Sequence, residues 1–199
     1  MQYVEYECRD AIAVITMNRP ERGNGLSVDM ISDLMEAHAT FRDDPDARVG
    51  IVTGVGKFFC AGLDLKDAAA NDDPNVDQRF GDVFDPADLP KPLIAAVNGW
   101  AVGGGMNMVV ETCELAVMAE DARMFIAQTR LGYPVGWPYR LTNGLTPAEV
   151  AEVTFGFEIT GQRALEMGLV NRVVPRERVM DTATEMAEHL VGMPPLAIL

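Results

Sequence analysis

Pro92-Leu93-Ile94-Ala95-Ala96-Val97-Asn98-Gly99-Trp100-Ala101-Val102-Gly103-Gly104-Gly105-Met106-Asn107 decides the fold. A short, wholly apolar run reads as a strand buried on both faces, as in a parallel sheet. It meets glycine, and three further glycines open a helix. Glycines at a strand-to-helix junction let a ligand approach the backbone closely. The helix N-terminus adds positive potential at the same point.

The same pattern recurs on either side. Ala11–Met17 and Arg48–Gly54 read as strands, and Glu114–Ala119 as another. Ser27 opens a helix through Phe41, with Met30, Ile31, Leu34, Met35 and His38 near one face. Further helices are expected near Thr146–Phe155, Thr160–Met167 and Glu177–Val191. Strands alternating with helices mean a parallel-rich α/β sheet. Residues Asp67–Leu89 are acidic, rich in Pro and Ala and without period, and read as a flap or irregular helix beside the site.

The chain of 199 residues suits one domain with a sizeable core, and 48% hydrophobic and 23% charged residues are ordinary for a globular protein. Sixteen Lys and Arg against thirty Asp and Glu give a net charge of −14. That field opposes nonspecific binding to nucleic acid or an anionic membrane, while leaving room for a small anion at local cations. Cys8, Cys60 and Cys113 are an odd set without a CxxC pair, so neither a disulfide framework nor a zinc site is expected. With an N-terminus lacking a basic and then apolar leader, a cytoplasmic protein is expected. The apolar end, Met193-Pro194-Pro195-Leu196-Ala197-Ile198-Leu199, reads as the start of another helix, so a C-terminal portion is expected beyond it.

A second turn carries chemistry: Gly56-Lys57-Phe58-Phe59-Cys60-Ala61-Gly62-Leu63-Asp64-Leu65-Lys66. Aromatics fill the core, Gly62 permits a sharp bend, and Asp64 can tie the loop down. Two such turns in one sheet would supply two convergent N–H donors for a developing alkoxide or enolate, each worth about 3 kcal/mol in a dry site.

In this order and spacing the two turns resemble the crotonase superfamily, the enoyl-CoA hydratase/isomerase family. Asn18-Arg19-Pro20-Glu21-Arg22-Gly23-Asn24-Gly25-Leu26-Ser27 and Ala164-Leu165-Glu166-Met167-Gly168-Leu169-Val170-Asn171-Arg172-Val173-Val174-Pro175 extend the resemblance over nearly the whole chain. It implies a single domain over 1–199, an α/β spiral of ββα units over about 1–140 followed by a helical part over about 141–199. It implies oxyanion amides from Leu63 and Gly104, and coenzyme A contacts around Arg22, Gly23, Ala61, Asp64, Leu65 and Lys66. Arg22 and Lys66 suit CoA phosphates chemically. A homotrimer or homohexamer is implied, with an acyl-CoA as the partner molecule, CoA entering as part of the substrate, and no other cofactor or metal.

Hydratases of the family use two glutamates. Counting two residues past the glycines reaches Asn107, and four residues before the Gly of Leu131-Gly132 reaches Gln128. A carboxamide does not exchange a proton near neutral pH, so neither serves as general acid or base. The stretch from Gly105 to Glu114 also holds one residue more than usual, so the place of Asn107 depends on where the surplus is absorbed. Glu111, four residues on, shares its helix face but reads as a surface or packed glutamate. Asp85 and Asp88 lie on the flap, and Tyr133 and Tyr139 are candidate proton donors. Trp100, Met106, Tyr133 and Trp137, with Phe84, are candidates for the acyl pocket. His38 and His189 fall outside every motif, which argues against a catalytic triad, and Cys60 reads as packing beside the turn.

Three functions follow: an enoyl-CoA hydratase or isomerase, another oxyanion-hole reaction such as decarboxylation, thioester hydrolysis, dehalogenation or carbon–carbon bond chemistry, or a noncatalytic acyl-CoA-binding paralogue. A phosphate-binding reading of the glycines lacks both the P-loop Lys-Ser/Thr and the dinucleotide GxGxxG spacing.

Overall fold

The computed structural model describes residues 1–70, 83–84, 89–132 and 144–194. Strands β1 (Val4–Arg9) and β2 (Ile12–Met17) form an antiparallel hairpin at one edge of a six-stranded sheet. β2 then pairs in parallel with β3 (Val49–Gly54), and the sheet continues through β5 (Leu93–Val97), β7 (Leu115–Ala119) and β10 (Arg172–Val174), all parallel. Every residue of β3 and β5 is buried, as continuous apolar runs demand of central strands. β1 instead alternates buried Val4 with exposed Glu5 and Glu7, the pattern of an edge with one wet face.

The second sheet is smaller. β4 (Phe58–Cys60), β6 (Trp100–Val102) and β8 (Arg123–Phe125) run parallel, and β9 (Ile159–Thr160) closes the edge antiparallel to β8. β3 leads to β4, β5 to β6 and β7 to β8, so each unit places one strand in each sheet. That is the expected spiral of ββα units.

Helix α1 (Val28–Asp43) begins where Ser27 accepts a hydrogen bond from the Met30 amide at 3.2 Å. Its buried face is Met30, Ile31, Leu34, Ala37, His38 and Phe41. Met35, expected on that face, is 37% exposed and points away. Burial pushes the His38 imidazole down to about 4, so it sits neutral in the core. Past α2 (Leu65–Ala70), most of the expected flap lies outside the described residues, as do Asp85 and Asp88.

Helix α3 opens at Gly104–Asn107 and continues without a break as a π turn over Met108–Thr112. The Cys113 amide donates to Met108 O, five residues back, at 3.2 Å. The surplus residue is absorbed here, beyond Asn107. Asn107 itself sits on a regular first turn, its amide donating to Gly103 O at 3.0 Å. α4 (Pro147–Thr154) starts in a capping box between Thr146 and Glu149, and α5 (Gly161–Glu166) on Thr160. α6 (Val179–Val191) buries Val179, Ala183 and Ala187 and packs across β2, β3, β5 and β7. No described helix is long and apolar enough to cross a membrane.

Candidate active site

The two glycine turns meet. β4 ends at Cys60 and β6 at Val102, and the strands are parallel neighbours, so the loops leaving them emerge side by side. Gly62 has φ +80° and Gly103 φ +52°, both in the left-handed region that side chains rarely enter. A β-carbon on Gly62 would stand 2.6 Å from Val102 O and 3.2 Å from the Gly104 nitrogen, so the turns touch backbone to backbone.

Two amides at this junction are unspent. The Leu26 amide donates to Gly62 O (2.8 Å) and Leu26 O accepts from the Asp64 amide (3.1 Å). These bonds flank Leu63 and leave its own N–H out of the pairing. Gly104 is the first residue of α3, so its N–H has no partner within the helix. Among the described residues neither amide donates elsewhere. Unused donors side by side, one at a helix N-terminus, suit a developing negative charge.

Asn107 and Gln128 come to the same helix end. Gln128 Oε1 lies 3.6 Å from where a β-carbon on Gly103 would stand, and Asn107 is on the first turn. Asn107 Oδ1 and Gln128 Oε1 are both sealed from solvent and accept no hydrogen bond among the described residues. A buried polar atom without a protein partner is uncommon, and two of them beside the glycine turns suit a polar group of a ligand.

An open cleft of about 290 Å³ adjoins Leu63, lined by Glu21, Arg22, Gly25, Ala61, Gly62, Asp64, Leu65 and Lys66. Five of the six residues expected to contact CoA line it. The sixth, Gly23, lies behind: its carbonyl accepts from the Ala61 amide at 2.9 Å, and a β-carbon on it would crowd the Phe58 ring at 3.2 Å. The Asp64 carboxylate turns inward. It pairs with Arg19 at 3.2 Å and Arg22 at 3.8 Å and accepts from the Lys66 and Asp67 amides. Its burial resists ionisation, but the Asp67 amide and the Arg22 and Arg19 charges outweigh that and hold the carboxyl below its usual range. Asp64 is therefore a brace that aims Arg22 into the cleft, and Arg19 is the partner that sequence reading passed over. The Lys66 ammonium makes no ion pair among the described residues.

Asn24 locks the arrangement from behind. It is fully buried at φ +54°, its Oδ1 accepts from the Arg19 amide at 2.9 Å, and its Nδ2 donates to Val55, Phe58 and Phe59 carbonyls at 3.1, 2.9 and 3.2 Å. Burial pushes the Cys60 thiol up to about 12 despite a 3.4 Å contact from the Gly62 amide, so it stays protonated and unreactive. Met106 is fully buried in the core, and Trp100 lies between Phe58, tilted at 6.4 Å, and Phe125, edge-to-face at 6.3 Å. Neither lines the cleft, and Phe84 packs on the core with its carbonyl accepting from Thr112. Tyr133, Trp137 and Tyr139 lie outside the described residues. Glu111, expected on a surface or packed, is partly exposed, and its Oε1 is shielded from solvent.

Residues 7–199 match the family model described as enoyl-CoA hydratase/isomerase. Carnitinyl-CoA dehydratase of Salmonella paratyphi A is 41% identical over 94% of this chain and 74% of its own length, as is that of Salmonella agona. Among solved structures, an enoyl-CoA hydratase from Bacillus anthracis superposes with a TM-score of 0.87 at 30% identity, covering 99% of this chain and 80% of that one. A probable enoyl-CoA hydratase from Mycobacterium smegmatis superposes with a TM-score of 0.89 at 31% identity, covering all of this chain and 82% of that one.

Proposed function

Since the chain belongs to the enoyl-CoA hydratase/isomerase family, we propose that it is an acyl-CoA lyase that holds a thioester enolate on the amides of Leu63 and Gly104. The observation that carries this reading is the pair of unspent N–H groups where the two glycine turns touch. An enolate differs from its parent thioester chiefly by charge on the carbonyl oxygen. Donors already fixed by backbone pairing stabilise that charge without reorganising. Coenzyme A enters with the substrate, its phosphates at Arg22 and Lys66 and its pantetheine arm along Ala61 and Leu65, and no separate cofactor is needed.

Dehydration of a 3-hydroxyacyl-CoA, or the reverse hydration, is the reaction that the similarity to carnitinyl-CoA dehydratase and enoyl-CoA hydratases supports best. The amides of Asn107 and Gln128 favour a second reading, in which the enolate forms by loss of carbon dioxide rather than of a proton. The exposed Leu131, Phe155 and Phe157, gathered where Arg130 donates to Gly156 O at 2.9 Å, fit burial between copies in a trimer or hexamer.

Acetoacetyl-CoA tests the core of this reading, because its enolate absorbs in the ultraviolet where its ketone does not. The protein should bind it at neutral pH with the enolate band enhanced. Binding without that band would remove the oxyanion hole. Binding without turnover of any 3-hydroxyacyl-, enoyl- or malonyl-CoA would leave a noncatalytic binder.

A further inference from the structure

Enolate formation by proton loss needs a base, and the two counted positions hold carboxamides. From Gly103 through Thr112, Glu111 is the one acidic or basic side chain. Its placement is set by the helix. Along Gly104–Cys113, Asn107, Val110 and Glu111 are partly exposed while every other residue is buried. Spacings of three and four put these residues on one stripe, so Glu111 opens toward the same space as Asn107.

Side chains on a helix lean toward its N-terminus. Glu111 starts about one turn, roughly 5.4 Å, beyond Asn107, leans back over that turn, and is one methylene longer. That lean would carry its carboxylate toward the end of α3 that holds Gly104 and Asn107. The π turn over Met108–Thr112 inserts one residue here without disturbing β7. Such turns occur often at functional sites because they re-aim side chains.

We infer that Glu111 is the proton-transferring group of this enzyme, displaced along the helix from the usual position and re-aimed by the π turn; this rests on the enolate reading above. For a 3-hydroxyacyl-CoA, Glu111 takes the Cα proton. The electron pair of that C–H bond passes into the enolate, whose oxygen charge rests on the Leu63 and Gly104 amides. The enolate then collapses to the Cα=Cβ double bond and breaks the Cβ–O bond. The departing hydroxyl takes the proton back from Glu111 and leaves as water. Asn107 and Gln128 orient that hydroxyl through their carboxamides, and Glu111 ends as it began.

The test compares wild type, E111Q and E111Q/N107E with 3-hydroxybutyryl-CoA and crotonyl-CoA, and follows deuterium entering Cα of butyryl-CoA in heavy water. Melting temperature and acetoacetyl-CoA binding report folding and an intact oxyanion hole. E111Q should bind acetoacetyl-CoA as wild type does, with KM within about threefold, while kcat falls about 10²–10⁴-fold and Cα exchange disappears. Restoring a carboxylate at the usual position in E111Q/N107E should recover part of both. Glu111 is overturned if E111Q keeps kcat within threefold, if exchange survives, or if wild type decarboxylates malonyl-CoA but never exchanges butyryl-CoA. A wild type that fails to enhance the acetoacetyl-CoA enolate overturns the enolate reading instead, and Glu111 with it.

Discussion

Replacing Gly62 by alanine tests whether the contact between the two turns matters to the chemistry. The new β-carbon would stand 2.6 Å from Val102 O, where ordinary contact begins at 3.4 Å. The Gly103 turn must therefore retreat by about 0.8 Å, and the Gly104 amide moves with it. A misplacement near 1 Å costs about 100-fold in rate, and loss of one oxyanion donor about 10²–10³-fold. Forcing alanine to φ +80° adds about 1–2 kcal/mol of strain, or a few degrees of melting temperature for a chain this long. Gly168→Ala separates the two effects. Gly168 has φ +72° but nothing within 4 Å of its would-be β-carbon, and it lies far along the chain from either turn. Both variants should lose stability to the left-handed strain by thermal denaturation, Gly62→Ala more because of its added clash. Only Gly62→Ala should lose about 100-fold in kcat/KM toward whichever acyl-CoA wild type turns over. Equal activity losses, or a Gly62→Ala within twofold of wild type, would refute the assignment of the touching turns as the oxyanion site.

Three further outcomes follow from the geometry. Arg22→Ala and Lys66→Ala should each weaken binding of a CoA thioester about 3–10-fold, less at high salt, and leave the phosphate-free pantetheine thioester unaffected; equal losses on both ligands, by calorimetry, would remove the phosphates from that cleft. Asn24→Ala breaks four hydrogen bonds in a buried left-handed residue and should cost about 2–4 kcal/mol in denaturant titration, so a loss under 1 kcal/mol would mean that the loop is held elsewhere. His38 titrates near 6.5 unfolded and about 4 folded, so the unfolded chain binds more protons between those values; stability should be full above pH 6.5 and about 2 kcal/mol lower by pH 5, a slope that His38→Leu should flatten.

The central strands were legible because burial on both faces leaves continuous apolar runs, as in Leu93–Val97. The second sheet was not, since β4, β6 and β8 span three residues each, too few to display any period. Val4–Arg9 does alternate, yet a reading of that segment for targeting signals passes over it. The two turns were visible through their glycines. That Asp64 ties its loop down was visible too, but its pairing with Arg19 was not, because Arg19 lies 45 residues earlier and nothing local announces the pair. For α3, the surplus residue could be counted in the sequence, but only the hydrogen bond from Cys113 to Met108 tells where the helix takes it up.

The pairing of β4 with β6 has a consequence for how such an enzyme can change. Leu63 and Gly104 each follow one of two neighbouring parallel strands, so the gap between their amides descends from the interstrand distance, about 4.8 Å in any sheet. That spacing is written in main-chain atoms and is indifferent to side-chain identity. Residues 107, 111 and 128 can therefore drift while the anion cradle stays intact. A lineage built this way can exchange one proton carrier for another, or for none, and inherit a working cradle at every step.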